Sequence, residues 1–202
     1  VPWARLLGFR QTWAFFFGKF LTDPIWWFFL IWLPDFFKQT RGLDIKKSWV
    51  HLVTIYAIVT ILSILGGWVT GYLAKRGWTV TRARKTGMFI FALLVLPIYA
   101  VTTVGDVTAV LLIGLAGAAH QAWSANLFTT TSDMFPKRAV ASVTGIGGMA
   151  GAIAGMFSAQ LIGRVLHFTN NNYFVPFALA SVACGAAALP AGASAPPAVT
   201  AA

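Results

Sequence analysis

Residues 12–37 are TWAFFFGKFLTDPIWWFFLIWLPDFF, an apolar stretch that contains the charged residues Lys19 and Asp23. A transmembrane helix needs about 20 mostly apolar residues, so this stretch predicts a membrane-spanning helix. A charge at that depth costs about 2.5 kcal/mol or more unless it faces a cavity or a partner. Lys19 and Asp23 lie four residues apart, and therefore on the same face of the helix. The stretch predicts a membrane span and a candidate binding site together.

The composition extends this interpretation to the whole chain. Of its 202 residues, 58% are hydrophobic and only 10% are charged, whereas a soluble domain is about 25% charged. Six apolar runs are long enough to span a membrane: 12–37, 49–73, 86–104, 107–131, 139–166 and 173–189. We therefore expect an all-α protein with a six-helix transmembrane bundle over 12–189. A lead-in covers 1–11, and the Ala/Pro/Ser-rich tail 190–202 is expected to be disordered or divergent.

The basic residues indicate an orientation in the membrane. The formal net charge is +10, but Lys and Arg are concentrated in short loops, which favours contact with a lipid bilayer over nucleic acid. One side of the bundle would carry Arg5, Arg10, Lys75, Arg76, Arg82, Arg84, Lys85, Lys137 and Arg138. The other would carry Lys38, Arg41, Lys46, Lys47 and Arg164. Because cytoplasmic loops are the more basic ones, both termini are predicted to lie in the cytoplasm.

Motifs of enzymes and metal sites are missing from the sequence. It has no paired carboxylates and no phosphate-binding loop, and His51, His120 and His167 do not have zinc-ligand spacing. Cys184 is alone and is interpreted as a small packing residue. We therefore predict no enzyme activity, no metal and no cofactor.

The first span offers the most specific candidate site. Lys19, Asp23 and Trp27 fall on one helical stripe, where an ammonium could pair with a ligand carboxylate and an indole could pack on a sugar ring. In the alternative interpretation, Lys19 and Asp23 neutralise each other and the tryptophan packs on its surroundings. Pro24 is expected to break the helix locally and to free backbone carbonyls.

The fourth span adds polar side chains that are unusual at membrane depth. His120, Trp123 and Asn126 are candidates for lining a pocket, whereas hydrogen bonds between helices would account for Ser124 and the nearby threonines. At the end of this span, Asp133 is expected to form a salt bridge in a gate, close to Lys137 and Arg138.

The fifth span contains glycines every four residues, at Gly147, Gly151 and Gly155. Small residues at this spacing let another helix approach closely. The pattern predicts tight packing, or a helix that slides against its neighbour during a conformational change.

The loop between the second and third spans carries the clearest motif. Spaced glycines precede a basic-glycine step and a downstream basic cluster; the residues are Gly67, Gly71, Arg76, Gly77, Arg82, Arg84 and Lys85. This loop resembles the cytoplasmic-loop motif of the major facilitator superfamily, which in that superfamily lies between the second and third helices of each half. Gly71 stands where the stronger form of the motif has an aspartate.

Three segments make the resemblance more specific. Residues 18–34, 120–137 and 141–148 look like the first, fourth and fifth helices of the C-terminal half of bacterial hexuronate transporters, in the anion:cation symporter family. The resemblance covers most of 12–168. It implies that the chain is a C-terminal six-helix half, lacking its N-terminal half, of a bacterial inner-membrane transporter that moves a sugar-acid anion with protons, sodium being less expected. It also implies that Lys19 contacts the substrate.

Two alternatives remain open at this point. The substrate could be another organic anion, such as galactonate or an aromatic acid. The chain could also be a six-helix membrane protein that transports nothing, which a dry contact between Lys19 and Asp23 alone would favour.

Overall fold

The structure, a computed structural model, contains only helices and the short loops that join them in the part of the chain that it describes. This part covers residues 3–42 and 45–191, with side chains for 3–42 and 49–182. Seven α-helices and one 3-10 segment follow in order: α1 (Trp3–Leu6), α2 (Arg10–Arg41), α3 (Ile45–Lys75), α4 (Val80–Val95) with the 3-10 segment Leu96–Thr102, α5 (Asp106–Met134), α6 (Lys137–Phe168) and α7 (Phe174–Ala191). Each of the six predicted spans corresponds to one long helical segment.

Five of these segments are long and apolar enough to cross a membrane: Arg10–Arg41, Trp49–Lys75, Val80–Thr102, Asp106–Met134 and Lys137–Phe168. The sixth predicted span forms α7, an 18-residue helix. Side chains in the last part of α7, including that of Cys184, lie outside the described residues, as do those of Lys46 and Lys47. The tail predicted at 190–202 begins as helix at its first two residues, and 192–202 lie outside the described part.

The helix ends differ from the sequence expectation in places that local chemistry explains. The third span was expected from residue 86, but α4 begins at Val80, because the Thr79 side chain accepts a hydrogen bond from the Arg82 amide and caps the helix. The α-helix changes to 3-10 geometry at Leu96, next to Pro97, which has no amide to continue the helical bonding.

The predicted break at Pro24 is wrong. Helix α2 runs without interruption through Pro24 and Pro34. Transmembrane helices tolerate proline, because the carbonyl that loses its partner can be satisfied by neighbouring groups.

The helices pack as two main pairs, α2 with α6 and α3 with α5. Helix α4 packs on α5 and α3, and α7 packs on the 3-10 segment, on α4 and on α2. Within each pair, residues further along one helix contact residues further along the other, so the paired helices run parallel. Phe15, Asp23, Trp27 and Trp32 lie against successive small positions of α6, namely Gly147, Gly151, Gly155 and Gly163. Ile58, Val59 and Gly66 lie against Gly114, Gly117 and Ala122 of α5.

Helix α5 is the centre of the bundle. In its most apolar stretch 67% of the residues are buried, compared with 17% for α3. Its polar residues His120, Ser124 and Asn126 are therefore enclosed by protein.

Two polar ties hold the end of the bundle opposite the α2 N-terminus. Arg41 donates to the Asp106 carboxylate at 2.8 Å and to the carbonyls of Val101 and Val104 at 2.9 and 2.6 Å. Tyr173, in the loop before α7, donates a short hydrogen bond to the Asp35 carboxylate. Each tie joins the C-terminal part of α2 to a loop between two other helices.

Candidate functional site

The candidate site centres on the side chain of Lys19, which α2 directs into the bundle. Lys19 is only 5% exposed. Its ammonium lies 2.5 Å from Oδ1 of Asp23, one helical turn further along, and 3.4 Å from the hydroxyl of Ser124 on α5. It also lies 4.3 Å from the centre of the Phe128 ring, a cation–π contact. The ammonium is thus enclosed by a carboxylate, a hydroxyl and an aromatic face.

Asp23 occupies space that a glycine on α6 leaves free. A Cβ atom added at Gly151 would overlap the Asp23 carboxylate. The side chain of Asp23 is 18% exposed. The ion pair therefore lies where α2, α5 and α6 meet. Its position requires glycine at residue 151, because any side chain there would occupy the space of the Asp23 carboxylate.

His120 lies beside this pair and is 2% exposed. Its Nε2 is 2.8 Å from the carbonyl oxygen of Thr22. A carbonyl can only accept, so Nε2 is the nitrogen that carries the hydrogen. In a neutral ring Nδ1 is then the acceptor, and it is buried without a hydrogen-bond partner among the described residues.

The tryptophans separate into different environments. Trp26 stacks on His120 with a ring separation of 6.3 Å, whereas Trp27 is 40% exposed and packs on Gly155. Trp123 is buried, and its indole N–H has no partner among the residues with described side chains. The amide of Asn126 donates to the carbonyl of Ala122 in its own helix at 2.8 Å.

The structure thus brings Lys19, Asp23 and His120 together. Trp27 lies one helical turn beyond Asp23 against Gly155, and the Asn126 amide bonds within its own helix. Sequence reasoning did not assign Phe128 to the site, and it gave Ser124 only a hydrogen bond between helices, of the kind that Lys19 makes with it. The sequence did contain a pattern that could have indicated both residues. His120, Ser124 and Phe128 follow at intervals of four residues and therefore share one helical face.

A second polar cluster lies where α4 begins and α5 ends. Arg84 donates to the two carboxylate oxygens of Asp133 at 2.5 and 3.4 Å, and to the hydroxyl of Thr129. Asp133 was expected near Lys137 and Arg138, which are exposed. Its ion-pair partner is instead Arg84 of the basic loop cluster.

The loop motif combines exposed cations with open glycines. Arg76 stacks over the Tyr72 ring at 4.7 Å, and Arg82 over the Trp78 ring at 4.8 Å. Gly77 has a φ of 88°, a left-handed conformation that suits glycine. The motif glycines Gly67 and Gly71 have no atom within 4 Å of a hypothetical Cβ, so this face of α3 is open to close approach by another element.

Comparison with known proteins places this architecture in a family. Residues 1–159 match the model of the Major Facilitator Superfamily. The probable galactarate/D-glucarate transporter GarP of Escherichia coli K12 is 30% identical over 164 residues, which are 80% of this chain and 36% of that protein. The hexuronate transporter of the same strain is 28% identical over 163 residues, 80% of this chain and 38% of that protein.

A third relative matches more of the chain. The probable sulfoacetate transporter SauU of Cupriavidus necator is 28% identical over 191 residues, 94% of this chain and 44% of that protein. The chain therefore spans less than half the length of these relatives. Together with the apolar helices, the family match confirms the expected fold class: this is an all-α, multi-pass membrane protein that belongs to the major facilitator superfamily.

Proposed function

We propose that this chain is the C-terminal six-helix half of a transporter that carries a hexuronate or a related sugar-acid anion across the bacterial inner membrane, together with protons. Relatives named for galactarate/D-glucarate, hexuronate and D-galactonate support a sugar-acid substrate. The match covers 36% of the galactarate/D-glucarate transporter and 38% of the hexuronate transporter. The rest of each relative is long enough to contain a second six-helix bundle. Transport would proceed by alternating access between the two halves.

The buried ion pair of Lys19 and Asp23 is the observation that carries this proposal. The two residues follow the start of α2 at Arg10 by about 14 and 20 Å, at 1.5 Å per residue, and so lie at membrane depth. A buried ammonium needs a counter-charge. Asp23 supplies it when no substrate is present, and a substrate carboxylate would supply it in exchange.

This exchange gives a route to proton coupling. A substrate carboxylate that joins Lys19 and an ionised Asp23 adds an unbalanced negative charge to the site. If Asp23 takes up a proton as the substrate binds, one ammonium still faces one carboxylate, and the burial cost stays low. Proton and anion would then enter the site together. Protons are the coupling ion that we propose, because the carboxylate of Asp23 beside Lys19 can take one up.

The neighbouring polar atoms suit a sugar acid's hydroxyl groups. Within the described side chains, Nδ1 of His120 and the indole N–H of Trp123 have no hydrogen-bond partner, and each could bond a sugar hydroxyl. The exposed part of Trp27 would give an apolar surface for a ring. The side-chain oxygen of Asn126, whose amide N–H bonds to the Ala122 carbonyl, would accept from a hydroxyl. We propose that the Arg84–Asp133 ion pair stabilises the cytoplasmic end of the bundle. At that end, Gly67 and Gly71 leave room for the other half of the transporter to pack on α3.

Uptake of labelled glucuronate, galacturonate and galactarate into proteoliposomes tests the proposal, with the complete transporter that contains this chain. We expect saturable uptake that is stimulated by an inward proton gradient. Lys19→Ala should lower it at least tenfold at equal protein level, and Lys38→Ala, at the exposed end of α2, should not. Uptake of other organic anions only would keep the transporter and overturn the substrate.

The double substitution Lys19→Ala with Asp23→Ala separates a ligand site from a structural pair. If the pair binds substrate, the double variant stays inactive. Recovery of uptake in the double variant would mean that the pair is structural and that the substrate carboxylate binds elsewhere.

A six-helix membrane protein without transport activity is the second candidate. The 2.5 Å contact between Lys19 and Asp23 favours it, because the two charges already neutralise each other. Failure of the complete protein to move any organic anion, with correct insertion, would select this candidate.

A further inference from the structure

The aromatic ring of Phe128 gives the Lys19 ammonium a partner that has no polar atom. The ammonium nitrogen lies 4.3 Å from the centre of the ring, within the roughly 6 Å over which an aromatic face attracts a cation. The ring belongs to α5, whereas the counter-ion Asp23 lies on α2 together with Lys19. Two helices therefore hold one charge, and they hold it by different interactions.

The Phe128 ring is held in place by packing that extends to α6. The Phe15 ring meets it edge to face, with ring centres 5.7 Å apart. Phe15 is 2% exposed, and it fills the space beside Gly147, where an added Cβ atom would overlap its ring. Side chains in such close-packed contacts keep their orientation, so the ring face that meets Lys19 is already formed.

The contacts from α5 leave the ammonium able to exchange its counter-ion. A lysine ammonium has three hydrogen-bond donors. Asp23 accepts from it at 2.5 Å, and the Ser124 hydroxyl lies at 3.4 Å. Neither Ser124 nor the Phe128 ring carries a negative charge, so neither opposes a substrate carboxylate. When such a carboxylate enters, only Asp23 has to change its charge or its place.

The ring contributes more once the substrate has bound. In the proposed exchange, Asp23 takes up a proton and no longer attracts the ammonium as an ion. Among the described side chains, the Phe128 ring and the Ser124 hydroxyl are then the contacts that still hold Lys19. A cation–π contact is strongest where water is excluded, and Lys19 is only 5% exposed. Because an interaction changes affinity only when it differs between the two states, loss of the ring should weaken substrate binding.

We propose that Phe128 is a positioning residue for the sugar-acid anion. Its ring holds the Lys19 ammonium toward α5 while the counter-ion changes from Asp23 to the substrate carboxylate. This inference rests on the proposed function and adds a residue that acts through Lys19 rather than on the substrate itself. Its effect belongs to substrate affinity and not to the rate of turnover.

Fluorination of the Phe128 ring in the complete transporter tests this role. The ring quadrupole attracts the cation, and each fluorine weakens that quadrupole while the shape of the side chain hardly changes. The readout is uptake into proteoliposomes of labelled glucuronate, galacturonate or galactarate. We expect the KM to rise stepwise with one, two and three fluorines to about tenfold, which corresponds to about 1.4 kcal/mol. The maximal rate should stay the same.

Two ordinary substitutions and a control locate the effect. Phe128→Leu removes the ring but keeps an apolar side chain, and it should raise the KM about as much as the trifluorinated ring does. Phe128→Tyr keeps a ring and should keep the KM close to that of the wild type. The control is the same fluorinated series at Phe135, just beyond the end of α5, whose ring meets Phe9 edge to face at 6.3 Å. That series should leave the KM unchanged.

The outcomes separate this role from the proposed function. A flat fluorine series at Phe128, in a transporter that is active and loses uptake in Lys19→Ala, would overturn the role of the ring and leave the proposed function in place. Equal effects at Phe128 and Phe135, or a lower maximal rate at unchanged KM, would limit the ring to packing and would also overturn its role. A wild-type transporter that moves none of the three sugar acids would contradict the proposed substrate and this inference with it.

Discussion

Lys19 is the residue whose surroundings constrain the protein most. Its ammonium is buried against a carboxylate, a hydroxyl and the Phe128 ring. Removing one partner of a buried pair leaves an uncompensated charge, which costs far more than the pair contributes by its presence. Lys19 and Asp23 are therefore expected to behave as one unit.

Lys19→Ala should lower the melting temperature of the chain in detergent. The carboxylate of Asp23, with 18% of the side chain exposed, would lose its counter-ion, and the loss is expected near the low end of the roughly 3–5 kcal/mol seen for buried pairs. Lys19→Ala with Asp23→Ala should recover most of the loss. A double variant as unstable as the single one would show that the two charges act independently.

Tyr173 gives a test that uses pH. Burial, together with the hydrogen bond to Asp35, raises the pKa of the Tyr173 phenol above its usual 10.0. The folded chain thus favours the protonated phenol, and this stabilisation is fully present below pH 10 and is lost as the pH rises further. The melting temperature of the wild type should fall more steeply above pH 10 than that of Tyr173→Phe. Tyr99→Phe, at a 54% exposed position, is the control and should follow the wild type.

The candidate site could be predicted only in part from the sequence. The pairing of Lys19 with Asp23 follows from a spacing of four residues, which any α-helix satisfies. The contact of Lys19 with Ser124 joins residues 105 positions apart, and no local rule sets such a contact. Trp26 and Trp27 are adjacent, and only the packed structure decides which of them meets His120.

At the scale of helices, α6 packs on α2 through one ridge of small residues. It consists of Gly147, Gly151, Gly155 and Gly163, each of which lies against a side chain of α2. Ridges of this spacing let two membrane helices cross at close range. The sequence predicted the close approach from the glycines. It could not name α2 as the partner, because lipid and protein interior are both apolar and leave no contrast between the faces of a helix.

Gly151→Ala should destabilise the pairing of α2 with α6. The added methyl would overlap the Asp23 carboxylate, and overpacking of this kind costs about 1–3 kcal/mol. Gly148→Ala is the matched control, because nothing lies within 4 Å of its Cβ position. Melting temperatures should fall for the first variant, and stay constant or rise for the second. Equal effects would mean that the loss of glycine itself, rather than the contact, matters.

At the scale of the whole molecule, the described helices form one bundle with two parallel pairs and an open α3 face. The number of helices was predictable, because a span needs only length and apolarity. Under the proposed function, this bundle lines one side of the substrate pathway, and the other six-helix half is needed to line the opposite side.

The chain reconstituted alone should therefore give no saturable uptake of a labelled sugar acid. Coexpression with the N-terminal half of the same transporter should restore uptake, and coexpression with an unrelated six-helix half should not. Proton-driven accumulation by this chain alone would contradict the proposed division of the transporter.

The two parallel helix pairs have a consequence for how the bundle can move. The bundle can be divided into two triplets, α2–α3–α4 and α5–α6–α7. The first helix of each triplet pairs with the second helix of the other, as α2 with α6 and α5 with α3. Because each triplet has three helices, the second triplet crosses the membrane in directions opposite to those of the first. Such inverted repeats are interchangeable in shape. The two triplets are then related by a rotation about an axis in the membrane plane, so a rearrangement that one triplet makes toward one face of the membrane has a counterpart in the other triplet toward the opposite face.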